Sequence, residues 1–225
     1  MKRLILTMAS LMMLVSIAFA QVETPMLPKQ HGLTDNQPAW GFSQVLALVA
    51  GYNWVSFYVE AGDPIALLEQ LEANLGDNGV SIENNTYGST AYDAENDEWF
   101  GDLDYEGIYN EQMYIIEVSA DCMVGLQGTI VDPSIYEFEI YPGYNWIGFP
   151  CSVEVSVADA LANFEAEEDD QIEAPNSVMY YWGGEWVSDG DFETFVPGQG
   201  YFYFSNSEDT KTLTFVVGGA KAKVE

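Results

Sequence analysis

Positive charge is what this sequence has least of. Six lysines and arginines stand against 36 aspartates and glutamates in 225 residues. Lys2 and Arg3 open the chain, which leaves only Lys29, Lys211, Lys221 and Lys223 for the rest. Without that basic start the formal charge moves from −30 to −32. Nucleic acid and anionic bilayers both require cationic contacts, so neither is an expected partner. The excess acid has two readings: solvation in an exposed environment, or attraction for Ca²⁺ or a basic partner.

Histidine is nearly absent too. His31 stands alone beside Gly32, in a stretch that also carries Pro25, Pro28 and Pro38. A triad or a histidine general base needs a positioned imidazole, and zinc needs more donors than one loop histidine and two cysteines. Phosphate cradles, nucleophile elbows and dinucleotide fingerprints are missing as well. No pair among the many carboxylates is singled out by its surroundings, so no catalytic residue is assigned and no enzyme activity is expected. The acidic clusters at 93–98, 165–170 and 189–191 lack the alternate spacing, central glycine and final glutamate of a calcium loop. No metal ligand or cofactor is therefore assigned, and weak Ca²⁺ binding is a secondary reading.

Cysteine occurs twice, as Cys122 and Cys151. In an exported protein such a pair can close one disulfide; about 30 residues of loop would contribute on the order of 3 kcal/mol. Two buried free thiols are the other reading. Long apolar runs are confined to the start. Residues 1–20 read as a signal peptide: Lys2 and Arg3, an apolar stretch from Leu4 to Phe19, then Ala18-Phe19-Ala20 as a small-x-small cleavage site before Gln21. The chain is expected to be exported (periplasmic, cell-surface or extracellular) with no membrane insertion after cleavage.

What is abundant is aromatic, β-favouring sequence, and it repeats. Gly51-Tyr52-Asn53-Trp54-Val55-Ser56-Phe57 recurs as Gly143-Tyr144-Asn145-Trp146-Ile147-Gly148-Phe149, at an offset of 92. The match continues on both sides. Alternating apolar runs precede each copy, and apolar residues three and four apart follow, from Ile65 and from Val157, as in a short amphipathic helix. Further on, Ile82-Glu83 faces Ile172-Glu173, and the run from Met113 faces the run from Tyr201. Runs of Val, Ile, Tyr, Phe and Thr between glycine-rich turns read as strands. The expected fold is α+β and mostly β. It comprises two tandem homologous repeats of about 90 residues, 44–134 and 135–219, each with several antiparallel strands and one short helix. The repeats are expected to pack with approximate two-fold pseudo-symmetry, each burying its apolar face on the other. An irregular segment, 21–43, precedes them, and a tail, 220–225, follows.

These pieces (GYNWV and GYNWI, then GGEWVSD, then PGQGYFYF) resemble a GWNW-type repeat of exported and cell-surface proteins of Gram-negative bacteria. The resemblance spans roughly residues 44–218. The first copy departs from it where Tyr109-Asn110-Glu111-Gln112-Met113 replaces the PGQGY turn. The resemblance implies an extracellular, non-catalytic module and carries neither catalytic residues nor a ligand.

The aromatics are the binding candidates, because exposed Trp and Tyr make flat platforms for sugars beside Asp, Asn or Gln. Trp182, Tyr52 and Tyr144 come first, followed by Tyr201 and Tyr203. Alternation allows only one pair of Tyr201, Phe202, Tyr203 and Phe204 to point outward. Trp54 and Trp146, at equal places in the motif, are expected in the core. The expected function is a non-catalytic binding or structural module of the bacterial surface or exterior, with an unknown protein or glycan partner. A carbohydrate-binding protein and a calcium-dependent adhesion or matrix protein are the alternatives.

Overall fold

A computed structural model of the protein describes residues 43–217. The expected export signal, His31, the proline-bearing stretch up to residue 42 and the tail lie outside the described residues. The chain is mostly β, with three α-helices among the described residues, and every strand pairing is antiparallel.

In chain order the first half runs β1 (Gln44–Leu48), β2 (Gly51–Val55), β3 (Val59–Glu60), α1 (Pro64–Leu75), β4 (Gly79–Asn84), β5 (Gly88–Asp93) and β6 (Glu98–Gly101). It closes with α2 (Leu103–Glu106), β7 (Tyr114–Val118), β8 (Cys122–Leu126) and β9 (Thr129–Ile130). The second half runs β10 (Phe138–Ile140), β11 (Gly143–Ile147), β12 (Val155–Ser156), α3 (Val157–Ala160), β13 (Gln171–Ala174) and β14 (Ser177–Trp182). It closes with β15 (Glu185–Ser188), β16 (Thr194–Phe195), β17 (Tyr201–Ser205) and β18 (Lys211–Leu213).

Two five-stranded sheets dominate. Their orders are β2-β7-β4-β5-β6 and β11-β17-β13-β14-β15. Each half adds two two-stranded ladders, β1-β8 and the short β3-β9 in the first, β10-β18 and the short β12-β16 in the second. Each half also has its own core, enclosed between its five-stranded sheet and a layer made of its longer ladder and helix. The first core joins Leu46 and Leu126 of the ladder, Leu67, Leu71 and Leu75 of α1, and Ile82 and Ile116 of the sheet. The second joins Phe138 and Leu213 of its ladder, Val157 and Ala160 of α3, and Ile172 and Tyr203 of its sheet. Alternation explains the rest: neighbours along each strand face the core and the open side in turn.

The helices differ in length for a local reason. Helix α1 starts on Asp63, whose carboxylate accepts the Ala66 N–H at 2.8 Å, and has Pro64 in its first turn. It then buries Leu67, Leu68, Leu71 and Leu75 on one side over twelve residues. Helix α3 stops after one turn. The Ala160 carbonyl, which a continuing helix would give to Phe164, accepts the Val216 N–H at 2.8 Å instead.

The halves are joined by main-chain contacts. Ser56 N–H donates to the Gly198 carbonyl at 3.0 Å, and Gly148 N–H donates to the Glu111 carbonyl at 2.9 Å. Val55 also bridges to Gln199. At the centre of this junction Met113 is fully buried against Gly200, where a Cβ would fall 2.2 Å from the Met113 Cγ. Side chains there are excluded by space alone.

Cys122 and Cys151 are free thiols, so the disulfide reading does not hold. Cys122 packs at the margin of the first core and Cys151 is buried in the second. Each half keeps its own sulfur.

Candidate functional site

The shared Gly-Tyr-Asn-Trp motif is a turn that aims its aromatics. Gly51 and Gly143 have φ of +98° and +87°, a conformation that residues with a Cβ rarely adopt. The asparagine locks that turn. Asn145 Oδ1 accepts the Tyr141 N–H at 2.8 Å, while its Nδ2 donates to the Tyr141 carbonyl at 2.8 Å and the Gly143 carbonyl at 2.9 Å. Asn53 makes the matching bonds to Val49 and Gly51. With the asparagine held inward, the flanking tyrosine and tryptophan face the open side of the sheet.

Tyr52 and Tyr144 are accordingly exposed, at 61% and 62%. Trp54 and Trp146 are half-buried rather than in the core. Both stand edge-on to one ring, Phe202, with centroids 4.6 Å and 5.4 Å away. Trp54 belongs to the first half, so this trio crosses the junction on the open side.

Strand register extends the aromatic surface across the second sheet. One row runs Tyr144, Phe204, Gln171, Tyr180, Val187 over five strands. The next runs Trp146, Phe202, Glu173, Val178. Trp182, opposite Glu185, continues the face beyond Tyr180 and is 65% exposed. Gln171 and Glu173 thus place an amide and a carboxylate among rings. Burial and the neighbouring Glu173 carboxylate push the Tyr144 phenol above its ordinary pKa. The matching rows of the first sheet hold Tyr52, Glu117, Ser81, Ala91 and Phe100, then Trp54, Ile115, Glu83 and Ser89. That face lacks the rings that fill the centre of the other.

Two of the candidates from sequence do not belong to any surface. Tyr201 and Tyr203 are fully buried, and Phe202 and Phe204 take the outward positions. The tyrosines point inward because each hydroxyl has a partner there. Tyr201 Oη accepts the Val196 N–H at 2.6 Å, and the Tyr203 hydroxyl donates to Asp170 Oδ2 at 2.6 Å. Asp170 is itself fully buried and also accepts the Asn206 and Glu167 N–H groups at 2.7 Å and 2.9 Å. Of the remaining candidates, Tyr144 and Trp182 share the second face, and Tyr52 lies on the first sheet.

Beside Tyr144 and Trp146 the face drops into a cleft of about 440 Å³ between the halves. Tyr141 and Tyr87 add rings to its walls, and Glu111, Glu137 and Glu139 add carboxylates. The Tyr141 hydroxyl donates to Glu139. No basic side chain lines it. Between residues 43 and 217 the only one is Lys211, whose Nζ lies 2.7 Å from Glu167. Sequence reading missed this cleft because its walls come from three separate segments, 85–87, 111–112 and 137–147, with no common motif. Among the described residues no three of His, Cys, Asp or Glu are grouped as a metal site, and no helix is long and apolar enough to cross a membrane.

No protein-family model matches the chain, and no curated protein or solved structure matches it.

Proposed function

We propose that the protein is an exported, non-catalytic binding module that holds a glycan on the open face of its second sheet. One observation carries this reading: the continuous aromatic face of Tyr144, Trp146, Phe202, Phe204, Tyr180 and Trp182, with Gln171 and Glu173 among the rings. Sugar rings stack on such faces through their C–H surfaces, and the amide and carboxylate are placed to take hydroxyl protons. The resemblance to repeats of exported surface proteins and the basic, then apolar, first twenty residues support export.

The module is, on this proposal, one unit used twice. Both sheets have the same strand order, and the junction bonds are reciprocal: Ser56 to Gly198 and Gly148 to Glu111. Reciprocity of that kind is what a two-fold relation produces. The calcium-dependent reading has no comparable support from side chains grouped among the described residues.

A glycan array probed with residues 21–225, with and without millimolar Ca²⁺, tests the proposal. Binding is expected in both conditions, and Tyr180→Ala/Trp182→Ala should weaken it at least tenfold with the melting temperature retained. Silence in both conditions, or full binding by that variant, would overturn the assignment of the face.

A further inference from the structure

We infer that the glycan is an amino sugar, its protonated amine seated in the cleft beside Tyr144 and Trp146. This rests on the glycan reading above and adds the chemistry of the recognised group.

Three observations converge on it. First, the cleft combines rings with carboxylates and has no cation of its own. Tyr141, Tyr144 and Trp146 line it together with Glu111, Glu137 and Glu139. The one lysine of the described residues is engaged with Glu167 and the Glu165 carbonyl elsewhere. An ammonium group satisfies both kinds of wall, through the ring faces and through charge-assisted hydrogen bonds. A neutral sugar offers the carboxylates only hydroxyl hydrogen bonds and leaves their charge unmatched, and an acidic one is repelled by them.

Second, Glu137 and Glu139 have no counterparts in the first half. Residues 92 positions earlier are Val45, Ala47 and Val49, where the second half has Glu137, Glu139 and Tyr141. The neighbouring core positions keep their character, Leu46 and Leu48 against Phe138 and Ile140. The same ladder thus carries acids and a ring only where the cleft is.

Third, the cleft and the aromatic face are one surface. Tyr144 and Trp146 line the cleft and also begin the two rows across the second sheet. A sugar stacked at the start of those rows presents its amine to the cleft, and its chain continues toward Tyr180 and Trp182.

Titration calorimetry at pH 6 with glucosamine, N-acetylglucosamine and glucose oligomers of one length and linkage tests this directly. The glucosamine oligomer is expected to bind at least tenfold tighter than the other two. Glu137→Gln/Glu139→Gln, at two exposed positions, should remove most of that preference with the melting temperature retained. Equal binding of all three oligomers would overturn the amine assignment and leave the glycan reading standing. Silence with all three and across the glycan array would overturn both. Spermidine binding as tightly as the glucosamine oligomer would also overturn the inference, since charge alone would then suffice.

Discussion

At the scale of single residues, hydroxyls and carboxyls decide which way side chains face. Tyr203 and Asp170 show a polar pair buried at no evident cost, because each oxygen has a donor or acceptor at hand. Glu72 on α1 shows the opposite. Its Oε1 is buried without a partner, as is Oδ1 of Asp104. Burial, followed by the charges of Asp104 and Glu69, pushes the Glu72 carboxyl up from 4.5 to about 7. A raised pKa means that the folded state holds the proton more tightly. The resulting stability is fully present below about pH 4.5 and is lost as the pH rises through 7. Since the group is half-exposed, solvent screening reduces the effect to about 1 kcal/mol. Glu72→Gln is expected to raise stability by that amount at pH 8 and to leave it unchanged at pH 4; urea unfolding at the two pH values measures both.

At the scale of elements, the motif turn is the part whose loss should be felt most. Asn145→Ala removes the bonds to Tyr141 and Gly143 and leaves part-buried backbone groups without these partners. The expected cost is about 2 kcal/mol in denaturant unfolding, with loss of glycan binding at concentrations where the protein is still folded. The strands, the turns and α1 were legible from alternation, glycine placement and apolar spacing. The orientation within β17 was not. Tyr-Phe-Tyr-Phe carries no polarity contrast, and the choice is made by Val196 and Asp170, which the strand's own sequence does not contain. The length of α3 was hidden for the same reason, since a carbonyl is taken by the distant Val216. The tryptophans of the motif read as core because they recur, yet they recur as the seam of the open face. The exposed positions of Tyr52, Tyr144 and Trp182 were legible, and the cleft that gives Tyr144 its neighbours was not.

At the scale of the whole molecule, charge sets the working conditions. All but three of the 36 carboxylates (Glu23, Asp35 and Glu225) lie between residues 43 and 217, with a single lysine among them. Packing so much like charge into one body opposes folding unless counter-ions intervene. Raising NaCl from about 10 mM to about 150 mM shortens the screening length from about 30 Å to about 8 Å. The melting temperature is expected to rise by several degrees over that range. A flat profile would show that the carboxylates are already too dispersed to repel one another.

The meeting of Met113 with Gly200 bears on how such a molecule arises. Strand register sets Tyr114 opposite Val55 and Tyr201 opposite Ile147, so on the proposed duplication Met113 matches Gly200, one residue away from the sequence alignment that set it against Tyr201. Two identical chains paired about a symmetry axis would place the same side chain on both sides of it. Two methionines would collide there, and two glycines would leave a hole. A gene that encodes both copies in tandem is free of that constraint, because each side of the axis mutates alone. The Met–Gly contact is therefore an arrangement open to a fused chain and closed to a symmetric pair of single copies.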